Sequence, residues 1–277
     1  PFKFGLIGST DSHTGLATAE EDNFFGKFVY GEPHAHRWGP WTETAKRAGW
    51  EWAASGLAAV WAEENTREAI FDAMERREVY GTTGPRIVLR FFGGWNFASN
   101  DVDRGPLAEI GYAKGVPMGS DLPPRSQNSS PSFLVSAFKD PDSGNLDRIQ
   151  IVKGWIDSNA TLFERVYDVA WSGDRTPDDA GKLTPVGNTV DVPSATWKNT
   201  IGEPHLTALW TDPDFDAEQP AFYYARIIEI PTPRWTAYDA NRFNVEMPPE
   251  VPMVTQERAY GSPIWYTPSD YFKEKQR

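Results

Sequence analysis

The sequence predicts α/β architecture over residues 1–93, followed by an antiparallel all-β, sandwich-like unit over 94–277 that ends in a Pro-rich tail. Two observations carry this. A strand–helix–strand pattern stands before residue 93, and beyond it the helical period of the apolar residues gives way to short alternating runs. The composition agrees: 12 Trp, 10 Tyr and 16 Phe with 23 Gly and 23 Pro suit short strands joined by tight turns. At 277 residues the chain can bury one large core or two ordinary ones.

Residues 2–8 read as a short apolar strand running into the polar loop Ser9-Thr10-Asp11-Ser12-His13-Thr14-Gly15. Pro1 is not an initiator residue and the strand has no lead-in, so the chain is expected to be the C-terminal part of a longer protein. Residues 15–55, rich in Gly, Pro and aromatics, read as a long excursion over the surface or over a site. Residues 56–62 form the next buried strand, and Asn65-Thr66-Arg67-Glu68 has the spacing of a capping box with Asn65 as N-cap. The helix should run to about Arg77, with Ile70, Ala73 and Met74 on one face. Strands follow at 79–83 and, after the Gly84-Pro85 turn, at 86–92. Beyond residue 93 strands are expected at 132–138, 148–153, 166–171, 206–210 and 222–230, and the tail from Thr232 onward should lie across the surface.

With 27 Lys plus Arg against 39 Asp plus Glu, the net charge of −12 opposes binding to nucleic-acid phosphates or anionic lipid. A small anionic substrate stays compatible, because a bound cation reverses the local field. No apolar run approaches the roughly 20 residues of a membrane span. The chain has no Cys, hence no disulfide, thiolate ligand or Cys nucleophile.

Asp11-Ser12-His13 is the first candidate for chemistry. A carboxylate and an imidazole two positions apart, on a loop after a strand, can enter one pocket and share a metal; they can equally form a turn in which Asp11 caps backbone N–H groups. The run Gly8-Ser9-Thr10-Asp11-Ser12-His13 resembles the last metal-ligand motif of the PHP (polymerase and histidinol phosphatase) superfamily, a strand ending in Ser-x-Asp-x-His. The resemblance, to an uncharacterised branch known as a domain of unknown function, continues through Glu21-Asp22-Asn23-Phe24-Phe25-Gly26-Lys27 and Tyr80-Gly81-Thr82-Thr83-Gly84-Pro85-Arg86. It extends over Ile149-Gln150-Ile151-Val152-Lys153-Gly154-Trp155 and Glu229-Ile230-Pro231-Thr232-Pro233-Arg234-Trp235 to Ser262-Pro263-Ile264-Trp265, nearly the whole chain.

That resemblance implies that residues 1–93 are the C-terminal part of a distorted β/α barrel. At its strand ends two or three zinc, manganese or iron ions would hydrolyse phosphoesters. It makes Asp11 and His13 the final two ligands, activating water with the metals. The opening His-x-His and the intermediate ligands of such a site come before this motif, so the site is incomplete in residues 1–277. Export to a periplasm is a further expectation from resemblance alone. A non-catalytic ligand- or partner-binding module with a vestigial metal site is the alternative function.

Other candidates are weaker. Arg86, at a strand start after Thr82-Thr83-Gly84-Pro85, suits two roles, a bidentate phosphate clamp in catalysis and binding or an ion pair locking the two units together. Lys27, Asn23 and Glu21 follow the ligand motif closely enough to line its pocket. His34-Ala35-His36 lies in a turn-like stretch with no strand to fix the imidazoles, and His205 sits in a loop without ligand-like neighbours. Asp212-Pro213-Asp214-Phe215-Asp216-Ala217-Glu218 is spaced like a calcium loop but has Ala217 and Tyr223 where Gly and Glu are required, so a solvated acidic loop is expected. Trp155, Trp171, Trp210, Tyr223, Tyr224 and Trp235 are expected in the core rather than on a sugar-stacking platform.

Overall fold

The structure is a computed structural model that describes residues 2–16, 20–40, 47–54, 56–125, 129–179 and 181–268. Its elements run β1 (Leu57–Val60), α1 (Arg67–Glu75), β2 (Val79–Thr82), β3 (Val88–Gly94), α2 (Leu107–Lys114), β4 (Val116–Pro117), β5 (Ser132–Phe138) and β6 (Leu146–Ile156). They continue with β7 (Leu162–Trp171), β8 (His205–Thr211), β9 (Ala221–Glu229), β10 (Thr232–Pro233), α3 (Trp235–Phe243), β11 (Val254–Thr255), β12 (Arg258–Gly261) and β13 (Ile264–Tyr266). One sheet has the order β1-β2-β12-β9-β6-β7, with β13 also on β9; a second has the order β4-β3-β5-β8; β10 and β11 form a small ribbon. All strand pairs are antiparallel.

Alternation along the strands brings the two sheets face to face. Ala221, Tyr223, Ala225 and Ile227 of β9 point inward with Ile149 and Ile151 of β6, and meet Leu89 and Phe91 of β3 and Phe133, Val135 and Ala137 of β5 in one apolar core. Phe133 packs on Tyr223 with ring centroids 4.4 Å apart. Each large side chain taken out of water here contributes about 1.5–3 kcal/mol. The outer face of the second sheet is covered by α2, where Tyr112 stands edge-on to Phe92 at 4.9 Å.

The five strands expected beyond residue 93 are present as β5 to β9 within a few residues. Four expectations need correction. Residues 57–94 form no β/α barrel: β1 pairs antiparallel with β2 across α1, and no closed barrel occurs among the described residues. Strands from either side of residue 93 share both sheets, since β2 pairs with β12 and β3 with β5. The cap of α1 is Thr66, whose side chain accepts from the Ala69 N–H at 3.3 Å; Ala73 is buried while Met74 and Phe71 are exposed. Residues 2–8 join no sheet ladder, because their backbone lies across the β1–β2 pair rather than beside it.

That crossing explains two glycines. A Cβ on Gly81 would stand 2.5 Å from the Gly8 nitrogen, and one on Gly8 would stand 2.4 Å from the Thr82 carbonyl oxygen. Backbone meets backbone with no room for a side chain. The segment is held there by the Gly8 N–H to the Leu57 carbonyl (3.2 Å) and the Leu6 N–H to the Ser262 hydroxyl (2.8 Å). Its apolar side chains Phe2, Phe4 and Ile7 stay exposed.

The tail from Thr232 is also corrected: it is structural. Helix α3 buries Trp235 to 1% exposure and β12 is an interior strand of the first sheet; residues 269–277 lie outside the described residues. Prolines at 248, 249, 252 and 263 interrupt the tail without excluding a four-residue strand between them. Helix α3 also clasps the 20–40 segment. Arg37 and Asp239, both buried, form a two-point ion pair with Nη2 to Oδ1 at 2.9 Å, while Arg37 Nη1 donates to the Phe24 and Gly31 carbonyls and its guanidinium lies 4.6 Å over Trp235. The excursion expected over 15–55, apart from 17–19, 41–46 and 55, which are not described, is therefore anchored.

Removing one member of such a pair leaves a buried charge. Arg37→Ala is expected to cost about 3–5 kcal/mol in urea unfolding. A loss near zero would mean that Asp239 finds another partner and the clasp is dispensable.

Candidate functional site

The residues after the 2–8 segment form a tight loop of local hydrogen bonds, including the Asp11 N–H to the Ser9 hydroxyl (3.4 Å) and the Ser12 N–H to the Thr10 hydroxyl (3.3 Å). Asp11 adopts φ +45°, a left-handed conformation that Asp tolerates better than most residues. Its exposed carboxylate is ion-paired with the Lys27 ammonium, which holds its pKa below the ordinary Asp value. His13 is exposed and stacks on Phe28 with centroids 4.6 Å apart, while its N–H donates to the Lys27 carbonyl at 2.8 Å. The structure thus gathers Asp11, His13 and Lys27 on one surface, with Lys27 also 4.7 Å over the Trp52 ring. Asn23 is exposed in the 3-10 turn Glu21–Asn23.

As a metal centre this pair is partial. It offers two donors, one of them neutralised by Lys27, where hydrolytic metal sites use three or more protein ligands. Among the described residues no group of three or more His, Asp or Glu is arranged to hold an ion.

Arg86 stands two residues before β3. Its backbone N–H donates to Asp140 Oδ2 at 2.6 Å, and its side chain is exposed. His34 and His36 occupy an exposed turn, where the His36 N–H donates to His34 Nδ1 at 3.2 Å. His205 begins β8 rather than lying in a loop, and its Nε2 meets the Ser136 and Thr207 hydroxyls at 2.9 and 2.8 Å. The acidic stretch from Asp212 is not simply solvated. Buried Asp212 pairs with Lys153 at 2.7 Å and accepts from the Tyr223 hydroxyl, and Asp214 pairs with Arg165 at 2.7 Å. Of the aromatics expected in the core, Tyr223 and Trp235 are buried, whereas Trp155 lines an open apolar groove of about 670 Å³ with Phe4, Phe163, Phe222 and Trp265.

A second cavity, of about 320 Å³, collects carboxylates from distant parts of the chain. Glu21 comes from the 3-10 turn, Asp140 from the β5–β6 loop and Glu257 from the approach to β12, with Trp197 and Tyr238 as aromatic walls and Pro85, next to Arg86, on the rim. Glu21 accepts from the Trp235 N–H at 2.6 Å; burial pushes its pKa up to about 7. Glu257, 5% exposed, accepts from the Thr83 hydroxyl; burial, with the Glu21 charge, pushes its pKa up to about 7. Behind the wall, fully buried Glu229 accepts from the Ser143 hydroxyl at 2.6 Å, and burial, with Glu257 and Asp140 adding to it, raises its pKa to about 8. Glu21 was singled out from the sequence for a different pocket. Glu229 and Glu257 carried no local signal, because their proximity arises only from the pairing of β9 with β12.

Carboxylates whose folded pKa lies above the unfolded value favour folding below about pH 4.5 and lose that contribution as pH rises through 7–8. The melting temperature should therefore fall between about pH 5 and pH 9, and Glu229→Gln should flatten the slope, raising Tm at pH 8 by about 2–4 °C. A slope unchanged in that variant would remove Glu229 as its source.

No curated protein and no solved structure matches the chain. One family model covers residues 1–268, from the 2–8 segment through β13, and the chain accordingly belongs to the family described as Protein of unknown function (DUF3604).

Proposed function

We propose that this chain contributes to a metal-dependent hydrolase of the PHP type, acting on a small anionic substrate of the phosphoester class. The observation that supports it is the placement of Asp11 and His13 two residues apart on one exposed, internally hydrogen-bonded loop, with Lys27 beside them. The loop ends a segment that crosses the sheet with its apolar side chains still uncovered. In this reading the 2–8 segment, which joins no ladder among the described residues, would become the last strand of a distorted β/α barrel whose other strands come from elsewhere and which packs on the sandwich. The remaining ligands come from outside the described residues, and zinc, manganese or iron supplies the activated water. Asp11 and His13 would be ligands, and Lys27 a cation that keeps Asp11 ionised. Asn23 and Arg86 would reach for the anionic substrate from turn and strand start.

The test is metal content and phosphatase activity of the natively expressed protein. Bound metal should be lost in Asp11→Ala, and turnover of generic phosphoesters abolished in His13→Ala with the β-sheet circular dichroism unchanged. Unaltered turnover in His13→Ala removes it from the mechanism. Arg86→Lys should raise KM for the anionic substrate, because the planar two-point fork is lost; an unchanged KM makes Arg86 structural.

A second reading, a ligand-binding module with a vestigial metal site, is favoured by the open groove, where Trp155 and Phe163 stack at 5.3 Å beside Phe222 and Trp265. Metal-free native protein that binds a glycan or peptide through Trp155 would select it.

A further inference from the structure

β7 is the outermost strand of the first sheet and pairs with β6 alone. The bonds at the β6–β7 hairpin fix which of its backbone groups face away. The Asp157 N–H donates to the Thr161 carbonyl at 3.1 Å, while the Ile156 N–H turns to the other side and donates to the Pro220 carbonyl at 3.2 Å. From that end bonded and non-bonded pairs alternate along the antiparallel ladder. Leu162, Glu164, Val166 and Asp168 fall on the non-bonded pairs, opposite Ile156, Gly154, Val152 and Gln150. Their N–H and C=O groups therefore point outward, and none of them meets a backbone partner among the described residues.

Free edges are normally kept short, bulged, broken by Pro or covered. β7 runs for 10 residues without Pro, and its register is regular from Leu162 to Asp168, shifting only between Ile149 and Gln150 of β6. Leu162 is 80% exposed and Val166 40%. The side chains of Leu162, Glu164 and Val166 share the outer face of the sheet, since Gly154 lies between Glu164 and Phe222 in register while neighbouring Tyr223 points into the core. The apolar groove opens on that face, and Leu162 and Glu164 line it together with Phe222 and Trp265. Charge along the edge is unevenly matched. Arg165 pairs with Asp214 at 2.7 Å and Asp168 accepts from Gln150 Nε2 at 2.7 Å, whereas exposed Glu164 has no ion pair among the described residues.

We infer that β7 receives an extended peptide segment of another protein as an added antiparallel strand, one that alternates apolar side chains with a basic one. This rests on the ligand-binding reading above and names its ligand. Donors and acceptors that repeat every second residue along an edge match the backbone of another strand, which a glycan does not carry. A Lys or Arg side chain directly opposite Glu164 forms a cross-strand charge pair, and the net charge of −12 draws a basic segment from a distance. An apolar side chain opposite Leu162 enters the groove of about 670 Å³ beside Phe222 and Trp265. A second copy of this chain fits less well. Antiparallel pairing of β7 with itself centred on Glu164, Arg165 or Val166 sets like charges opposite each other, and both copies carry −12.

The test is fluorescence anisotropy of a dye-labelled peptide that alternates Thr with Val, Lys and Phe, in that order, titrated with the natively expressed protein. Two N-methylated forms of the peptide accompany it, each blocking one alternate set of backbone amides. The expected result is saturable binding with Kd of about 100 μM or tighter, kept by one methylated form and lost by the other. Glu164→Lys, at an exposed position, should weaken binding about fivefold or more and restore it for the peptide carrying Glu in place of Lys. Val166→Pro removes an outward N–H that β6 does not use, and should abolish binding with the β-sheet circular dichroism unchanged. Absence of binding up to about 1 mM overturns the proposal. So does equal binding of the two methylated forms, or binding indifferent to both substitutions. Dimerisation in analytical ultracentrifugation that Val166→Pro abolishes gives the edge to a second copy and overturns the peptide as its occupant. A glycan bound through Trp155 by protein that ignores the peptide overturns the added strand alone and leaves the ligand-binding reading in place.

Discussion

The structure depends on a four-residue strand near the end of the chain. β12 pairs with β2 through Ala259 to Thr82 and Tyr260 to Gly81, and with β9 through Ala259 to Ile227 and Tyr260 to Arg226. It thereby joins β1 and β2 to the large antiparallel set β9-β6-β7. Ala259, fully buried, also adds to the core between the sheets. The closure of this sheet is a long-range event, with more than 170 residues between β2 and β12. It demands that the core of β5, β6 and β9 exist to receive it.

The same pairing creates the acidic cavity. Glu229 closes β9 and Glu257 immediately precedes β12, so the ladder that joins these strands brings two carboxylates together, with Glu257 facing the cavity that residues 20–22 also line. That segment stays in place through the buried Arg37–Asp239 pair and the Glu21 hydrogen bond to the start of α3. Fold closure and cavity are thus one construction, in which the first turn after the Asp11–His13 loop is also a cavity wall. A conformational change of the 20–40 segment would act on both.

Much of the sandwich was legible in the residues. Runs such as 148–153 and 222–230 alternate between inward residues such as Ile149, Ile151, Tyr223, Ala225 and Ile227 and outward ones such as Arg148, Gln150, Phe222, Tyr224 and Arg226, which defines a strand with two different faces. The capping signal placed α1 within one residue, although the hydroxyl of Thr66 rather than the amide of Asn65 reaches the third turn residue. Residues 2–8 misled because apolarity signals burial in a sheet without saying which sheet or whether the backbone lies beside or across it. The tail misled because helix α3 mixes apolar and polar residues, and its burial comes from packing on Arg37 and Phe24. Asp11 and His13 were visible as a motif and the Lys27 partner followed from proximity, whereas the contact of the Arg86 N–H with Asp140 joins segments 54 residues apart.

By itself the sequence determined β1 to β3 and β5 to β9 within a few residues, the start of α1 to within one residue, the antiparallel character of the part beyond residue 93, and the placing of Asp11 and His13 two residues apart. These are properties of neighbours along the chain, where period, capping and turn chemistry act over a few residues. Only the tertiary structure decided that strands before and after residue 93 share two sheets, that the tail supplies an interior strand, and that Glu21, Glu229 and Glu257 surround one cavity. Such proximities come from which apolar faces find each other, a contest among distant segments that local pattern does not record.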